Sequence, residues 1–169
     1  MNFYEVVSQR RSIRSYDKLK PVPAAALLRI AEAVNAAPSA CNLQPWKFLV
    51  FTNKEKVAQI VECYKGEWLQ EAPAIAVLVG NRDVCWKRND GRSAFDLDMG
   101  IVMEHFVLAA TAEGLGTCWI CAYEAKQLDA LLELEAPFET VALSPLGFAA
   151  GAPRPFSRKA QSEVFEIID

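Results

Sequence analysis

Gln9-Arg10-Arg11-Ser12-Ile13-Arg14-Ser15-Tyr16 is the stretch around which this chain is organised. It concentrates three arginines and two serines in a protein whose formal net charge is only −3. Arginine presents a planar fork of donors that matches a phosphate, and serine adds a donor of fixed reach. In an extended segment alternate side chains share a side, so Arg10, Ser12 and Arg14 can converge on one anionic ligand. Taken alone, the same residues also read as a solvated basic turn after a short helix.

Upstream of this stretch, Asn2 followed by Glu5 has the spacing of a capping box, and Phe3, Val6 and Val7 form one apolar face. A short helix therefore delivers the chain to the arginines. Downstream, Pro23 to Ala37 reads as a second helix with Leu27, Ile30, Ala31 and Val34 on its buried stripe, ended by Pro38. The loop Pro38-Ser39-Ala40-Cys41-Asn42-Leu43-Gln44-Pro45-Trp46 follows. Its Ser39, Asn42 and Gln44 supply neutral donors and acceptors of the kind that bond a heteroaromatic edge or sugar hydroxyls. A tight turn whose polar groups satisfy their own backbone is the other reading.

Trp46 to Phe51 reads as a strand, and Thr52 with Glu55 as a second capping box opening a helix with Val57, Ile60, Val61 and Tyr64 inward. Ala74 to Val79 is an apolar run, hence a strand buried on both faces, and residues 81–92 form a charged surface loop. The longest helical pattern runs from about Ser93 to Gly114. Phe95, Met99, Val102, Met103, Phe106, Val107 and Ala110 mark its stripe, while Ile101, His105 and Leu108 widen it beyond one face. Such a helix lies in a core or against a second subunit. Thr117 to Tyr123 reads as a third strand, Glu124 to Leu132 as a helix and Thr140 to Phe148 as a fourth strand, in which Pro145 implies a bulge or an edge. A basic tail with Arg154, Arg158 and Lys159 precedes a last strand from Val164 to Ile168. No internal repeat or linker divides the 169 residues, which are read as a single domain, 1–169.

Composition excludes several functions. A pI near 5.3 argues against a general nucleic-acid binder. No stretch has the roughly eighteen apolar residues of a membrane span, and the N-terminus does not read as an export signal, so the expectation is a cytoplasmic protein. The five cysteines form an odd, sparse set that suits reduced thiols. Cys118-Trp119-Ile120-Cys121 has C-x-x-C spacing, but it reads as strand, where residues three apart point to opposite faces. A lone His105 leaves few ways to build a metal centre, Asp96 and Asp98 do not share a helix face as an acid–base pair, and no nucleophile motif is present. An enzyme with this inventory needs a cofactor to supply the reactive atom.

The order of these motifs resembles the FMN-dependent nitroreductase family, in its short single-domain branch. The resemblance rests on Arg10-Arg11-Ser12-Ile13-Arg14, then Pro38-Ser39-x-x-Asn42-x-Gln44-Pro45-Trp46, Asp98-x-Gly100 and Leu108-Ala109-Ala110. Gly114-Leu115-Gly116-Thr117-Cys118-Trp119-Ile120, Leu146-Gly147-Phe148 and the basic tail complete it. It implies an α+β sandwich with a central mixed, largely antiparallel sheet flanked by helices. It also implies an intertwined homodimer with FMN at the subunit interface, and NADH or NADPH as donor to a nitroaromatic, quinone or similar acceptor with ping-pong kinetics. Other acceptors (enones, free flavin, halogenated aromatics) and a non-catalytic flavin- or anion-binding module remain alternatives.

By the same resemblance, Arg10 and Ser12, with Arg11 beside them, are phosphate ligands, and Arg14 is the cation at the flavin N1/O2 edge. Pro38, Ser39, Ala40, Asn42 and Gln44 form the loop whose Ser39 and Asn42 reach the partner's flavin. Trp119, Ile120 and Cys121 lie along the flavin ring, and Arg158 with Lys159 is a second phosphate clamp. Two basic clusters from opposite ends of the chain suit a phosphate carrying close to two charges. The family commonly has glycine after Trp-Ile, where this chain has Cys121, and the added side chain narrows the pocket.

Overall fold

The computed structural model describes residues 1–168. Helix α1 (Phe3–Gln9) opens with the expected reciprocal cap: the Asn2 side chain accepts from the Glu5 N–H and the Glu5 carboxylate accepts from the Asn2 N–H. Of its apolar residues only Val6 is buried, and Phe3 and Val7 stay exposed. Helix α2 (Ala24–Asn35) follows Pro23 but buries Ala26 and Ile30, with Leu27 and Val34 half-buried and Ala31 exposed, so its stripe is rotated from the expected one. A tight 3-10 turn, Ala40–Asn42, leads into strand β1 (Trp46–Phe51), whose bounds match the reading. Helix α3 (Lys54–Val61) is capped by Asn53, not Thr52. The Asn53 carboxamide oxygen reaches both the Glu55 and Lys56 N–H groups.

Strand β2 (Ala74–Asn81), helix α4 (Phe95–Ala112), strand β3 (Gly116–Thr117), helix α5 (Ala125–Leu131) and strand β4 (Phe138–Gly147) complete the elements that position the site. The sheet order is β1-β2-β4-β3 and every neighbouring pair is antiparallel. A single parallel bridge between Ser12 and Thr117 makes the sheet mixed.

Alternation along β2 separates two cores. Ala74, Ala76 and Leu78 face α2 and α4, and Ile75, Val77 and Val79 face α3 and α5. The two alanines leave room for the bulky stripe of α4, where Phe106 stacks on Phe48 with ring centroids 5.1 Å apart. At the far end, a Cβ on Gly80 would lie 2.3 Å from the Phe95 ring, so only glycine admits the start of α4 there. All seven residues assigned to the α4 stripe are buried, and Gly114, at φ +73°, stops the helix in the left-handed conformation.

Three strand expectations are corrected. The stretch Thr117–Tyr123 is not one strand: β3 is two residues long, and pairing resumes only at Ile120, which exchanges backbone bonds with Leu143. Pro145 explains the gap. The Leu143 N–H and C=O point to the β3 side, so by two-residue alternation Pro145, which has no N–H, faces the same side. Cys118 N–H turns instead to the Ser144 hydroxyl at 3.2 Å. Pro145 therefore marks neither an edge nor the bulge. It sits on a central strand, and the bulge is at Val141, the extra residue opposite Leu78 and Val79. The last strand does not form: the tail from Gly151 is exposed, with a 3-10 turn at Gln161–Glu163 and no strand pairing over 164–168.

Candidate functional site

The arginine segment is held as an extra, one-bridge strand along the free edge of β3. Ile13 N–H donates to the Thr117 carbonyl at 2.8 Å, and Tyr16 pairs with Ala149 just past β4. Gly116 permits this closeness, since a Cβ there would lie 2.7 Å from the Ile13 side chain. Tyr16 is buried and donates its hydroxyl to the Ile13 carbonyl at 2.8 Å, tightening the bend that follows Arg14. Burial raises the Tyr16 phenol, so it stays a neutral donor.

The segment runs extended between its bridges at Ser12 and Tyr16, and Ser12 and Arg14 line one small cavity. Arg14, Ser12 and Arg10 all act on the buried Cys118 thiol beneath the segment, where burial raises the thiol and these groups oppose it. Arg11 goes elsewhere. Its Nη1 donates to the Ser8 and Arg10 carbonyls, and its guanidinium lies 3.7 Å over the Phe156 ring. Arg158 faces the same ring at 4.9 Å and donates to its neighbour's carbonyl, while Lys159 is exposed beside it. Among the described residues no carboxylate lies within 4.0 Å of Arg10, Arg14 or Arg154, whereas Arg29, Arg82 and Arg88 each have one. Arg10 and Arg14 are half-buried and Arg154 is exposed, and neighbouring guanidinium groups without a counter-charge repel one another and favour an anion.

The Pro38–Pro45 loop is built by a different device. Cys41, Asn42 and Gln44 have φ of 52°, 55° and 47°, a left-handed region that costs non-glycine residues on the order of 1 kcal/mol each. Ser39 Oγ accepts from the Gln44 N–H at 2.9 Å, and the Gln44 amide donates to the Asn42 carbonyl and carboxamide oxygens. The loop thus satisfies much of its own polarity. The Ser39 O–H, the Asn42 amide donors and the Gln44 carbonyl oxygen remain free for a ligand. A buried carboxylate anchors it: Asp98, 2% exposed, accepts from the Ala40 N–H at 2.9 Å through Oδ1, while its Oδ2 has no partner. Asp98 is not half of an acid–base pair. It stands on the buried α4 stripe with Phe95, Met99 and Val102, and that polar interruption of an apolar face is the signal that sequence reasoning passed over.

The arginine segment and the loop stand at diagonal corners of the chain. The loop hangs from Asp98 in the first turn of α4 and leads into Trp46, paired with Gly80. The arginine segment lies beyond the other end of α4, at Thr117, which pairs with Leu146 opposite Ala74. From Asp98 to Ala112 the helix rises about 20 Å at ~1.5 Å per residue. Three strand spacings of ~4.8 Å separate β1 from β3 laterally. The corners are therefore roughly 25 Å apart, and among the described residues no hydrogen bond or ion pair joins them.

Trp119 is partly exposed, Ile120 is buried, and the Trp119 indole N–H donates to Cys121 Sγ at 3.2 Å. Cys118 is buried and Cys121 exposed, which is the opposite-face arrangement expected of a strand, and all five cysteines are free. His105 gives its Nδ1 to the Ile101 carbonyl at 2.9 Å as a structural member of α4. Among the described residues no group of three His, Cys, Asp or Glu comes together to hold a metal, and no helix is long and apolar enough to cross a membrane.

A family model of the nitroreductases matches residues 7–84 and 60–148, which take in the arginine segment, the 38–45 loop, α4 and β4. The chain belongs to the nitroreductase family. This nitroreductase-family chain is 30% identical over 162 residues, 90% of itself and 80% of its relative, to a provisionally named NADH dehydrogenase/NAD(P)H nitroreductase of Methanothermobacter thermautotrophicus. A nitroreductase family protein of Clostridium difficile 630 superposes with a TM-score of 0.89 at 26% identity, covering 98% of each chain. An FMN-dependent nitroreductase of Clostridium difficile R20291 shares the fold, with a TM-score of 0.81 at 24% identity over 95% and 96% of the two chains. Membership makes this chain an oxidoreductase, with the expected mixed, largely antiparallel sheet flanked by helices.

Proposed function

We propose that this protein is an FMN-dependent NAD(P)H oxidoreductase of nitroreductase type, working as an intertwined homodimer on small nitroaromatic, quinone or similar acceptors. The observation that carries the reading is the basic segment along the β3 edge, where Ser12 bridges Thr117, Ser12 and Arg14 line one small cavity, and neither Arg10 nor Arg14 has a carboxylate within 4.0 Å among the described residues. That donor set fits a phosphate monoester followed by an electron-rich ring edge. Arg10 and Ser12 would hold the phosphate, and Arg14 would place positive charge at the ring edge where negative charge accumulates on reduction. Bound FMN would supply the redox chemistry, accepting a hydride from a nicotinamide and delivering it to the second substrate in a separate half-reaction.

The protein's own contribution is binding, orientation and electrostatics. No side chain near the segment is a proton donor suited to the acceptor, so protons would come from solvent. The distance between corners favours a site shared by two copies, in which Ser39 and Asn42 of one subunit face the arginine segment of the other. The exposed apolar residues of a single chain support a dimer as well: Tyr4 on α1 and Leu97 on α4 are 82% and 68% exposed, and Phe165, Ile167 and Ile168 lie open along the tail. The outer edge of β1, paired only on its β2 side, is open to a further strand.

The test is spectroscopic. The protein should purify yellow with non-covalent FMN and bleach anaerobically on addition of NADH or NADPH. Arg10→Ala should weaken FMN binding by about 1.5–3 kcal/mol, the usual worth of a hydrogen bond to a charged group. A colourless protein that gains no flavin on reconstitution would overturn the reading.

A further inference from the structure

We infer that Glu71 is a positioning residue for Arg14: its carboxylate takes the Tyr16 N–H and so fixes the bend that aims the Arg14 guanidinium. The assignment rests on the flavin reading, in which Arg14 meets the ring edge. It adds to that site a residue that meets the arginine segment from fifty-five positions away in sequence.

Pairing just past β4 leaves the Tyr16 N–H to find a partner elsewhere. Tyr16 bridges Ala149 antiparallel, but the bonds of that bridge come from its neighbours. Asp17 N–H donates to the Phe148 carbonyl at 2.9 Å, and Ala150 N–H to the Ser15 carbonyl at 3.0 Å. In such a pair the central residue's own N–H and C=O point away from the partner strand. Tyr16 is 3% exposed, so an unbonded N–H there would be costly. Glu71 Oε2 accepts it at 3.1 Å.

Glu71 reaches this N–H from a fixed platform. It is the last residue of the 3-10 turn Glu67–Glu71, whose Leu69 is buried in the core against α3 and α5. Ala72 N–H closes that turn on the Leu69 carbonyl at 3.1 Å. Pro73 then packs where Tyr16 does: a Cβ on Gly147 would lie 2.6 Å from Pro73 and 3.2 Å from the Tyr16 ring. The wall carrying Glu71 and the bend carrying Tyr16 therefore close on one glycine. Among the described residues Glu71 has no cation within 4.0 Å, so its carboxylate serves the backbone and leaves Arg10 and Arg14 free for an anion. Arg14 lies between two pinned groups, the Ile13 carbonyl held by the Tyr16 hydroxyl at 2.8 Å and the Tyr16 N–H held by Glu71.

The experiment compares the wild type with Glu71→Ala, Glu71→Gln, Glu71→Asp, Arg14→Ala and the double variant Glu71→Ala/Arg14→Ala. Amide exchange over residues 13–17 is followed in the apoprotein. In the holoprotein the readouts are FMN affinity, anaerobic flavin reduction by NADH or NADPH, and the midpoint potential of the bound flavin. Glu71→Ala should speed exchange at Tyr16, slow the limiting rate of reduction about tenfold and lower the potential, as Arg14→Ala does. Glu71→Gln keeps an acceptor oxygen and should stay within about threefold of wild type. Glu71→Asp withdraws the carboxylate by one methylene; it should show the same pattern more weakly, and it carries the test if Glu71→Ala does not fold. Because Glu71 acts through Arg14, the double variant should fall within about twofold of Arg14→Ala.

Losses that multiply in the double variant, or Glu71→Gln as impaired as Glu71→Ala, would overturn the assignment. So would faster exchange and weaker FMN binding with the potential unmoved, which is the signature of a structural role alone. Unaltered reduction in Arg14→Ala would remove the group that Glu71 is held to position. Wild-type protein that bound no FMN would overturn the flavin reading itself, and the assignment with it.

Discussion

The two corners of the site solve the same problem, presenting polar groups to a ligand, by opposite means. At the β3 edge the backbone is extended and paired, Gly116 lets Ile13 approach, and half-buried cations stand without carboxylate partners. At the β1 entrance the backbone is folded into three left-handed residues, the exposed groups are neutral, and a buried carboxylate holds the loop from beneath. The first corner has strong charge on a regular scaffold, so its recognition is electrostatic. The second has weak donors on a strained scaffold, so its recognition depends on keeping a costly shape. The corners lie roughly 25 Å apart, at ~1.5 Å per helical residue and ~4.8 Å per strand, and the proposed shared site would use a second copy to bring them to one ligand.

The largest effect should come from separating the corners genetically. A chain carrying Arg10→Ala with Arg14→Ala loses the first corner, and a chain carrying Asp98→Ala loses the second. Each alone should bind little flavin. In a mixed dimer one site inherits both lesions and the other inherits neither, so FMN binding should recover to one per dimer. No recovery in purified heterodimers would mean that each subunit builds its site unaided.

Next is the loop anchor by itself. Asp98→Ala leaves the Ala40 N–H without its charged acceptor and should cost about 1.5–3 kcal/mol of stability, together with FMN affinity. Asp98→Asn, which keeps an acceptor oxygen, should recover most of the affinity. Calorimetry with flavin titration checks both, and equal losses in the two variants would show that the charge, and not the acceptor, shapes the loop.

A smaller effect should appear at alkaline pH on the charged corner. Burial raises the phenol of Tyr16, and burial pushes that of Tyr123 up to about 12. A phenol raised in the fold contributes stability that is full below its unfolded value near ~10 and is lost as pH rises through the folded value. Thermal unfolding followed from pH 8 to 11 should therefore show a falling limb above about pH 10. Tyr16→Phe should flatten that limb, because the phenol that binds the Ile13 carbonyl is gone. An unchanged limb would leave Tyr123 and the buried thiols of Cys63 and Cys118, which burial also raises, as its sources.

The smallest effect is expected at Cys121. It is exposed, accepts the Trp119 indole N–H, and its nearest cysteine in sequence, Cys118, is buried. Cys121→Ser should keep anaerobic reduction by NAD(P)H within about tenfold, a barrier change of roughly 1.4 kcal/mol, while altering which acceptors turn over. Loss of reduction by several orders of magnitude with FMN still bound would give the thiol a chemical role.

Patterns repeated over many residues were legible in the sequence. The α4 stripe, the bounds of β1, the buried β2 and the Asn2–Glu5 cap follow from period and propensity, because each is fixed by neighbours three or four residues away, or by alternation along one strand. The extended course of the arginine segment, bridged at Ser12 and Tyr16, was legible for the same reason. Tertiary structure alone decided what depends on distant partners. Pro145 reads as an edge or a bulge locally, yet it is tolerated on a central strand because its missing donor faces the gap left by Cys118. Asp98 looks like an idle carboxylate until Ala40 arrives from fifty-eight residues upstream. Spacing along the tail could not show that Phe156 meets the Arg11 guanidinium across the fold, 3.7 Å from the ring centroid. Local sequence sets which way a side chain points, and only long-range packing sets what it meets.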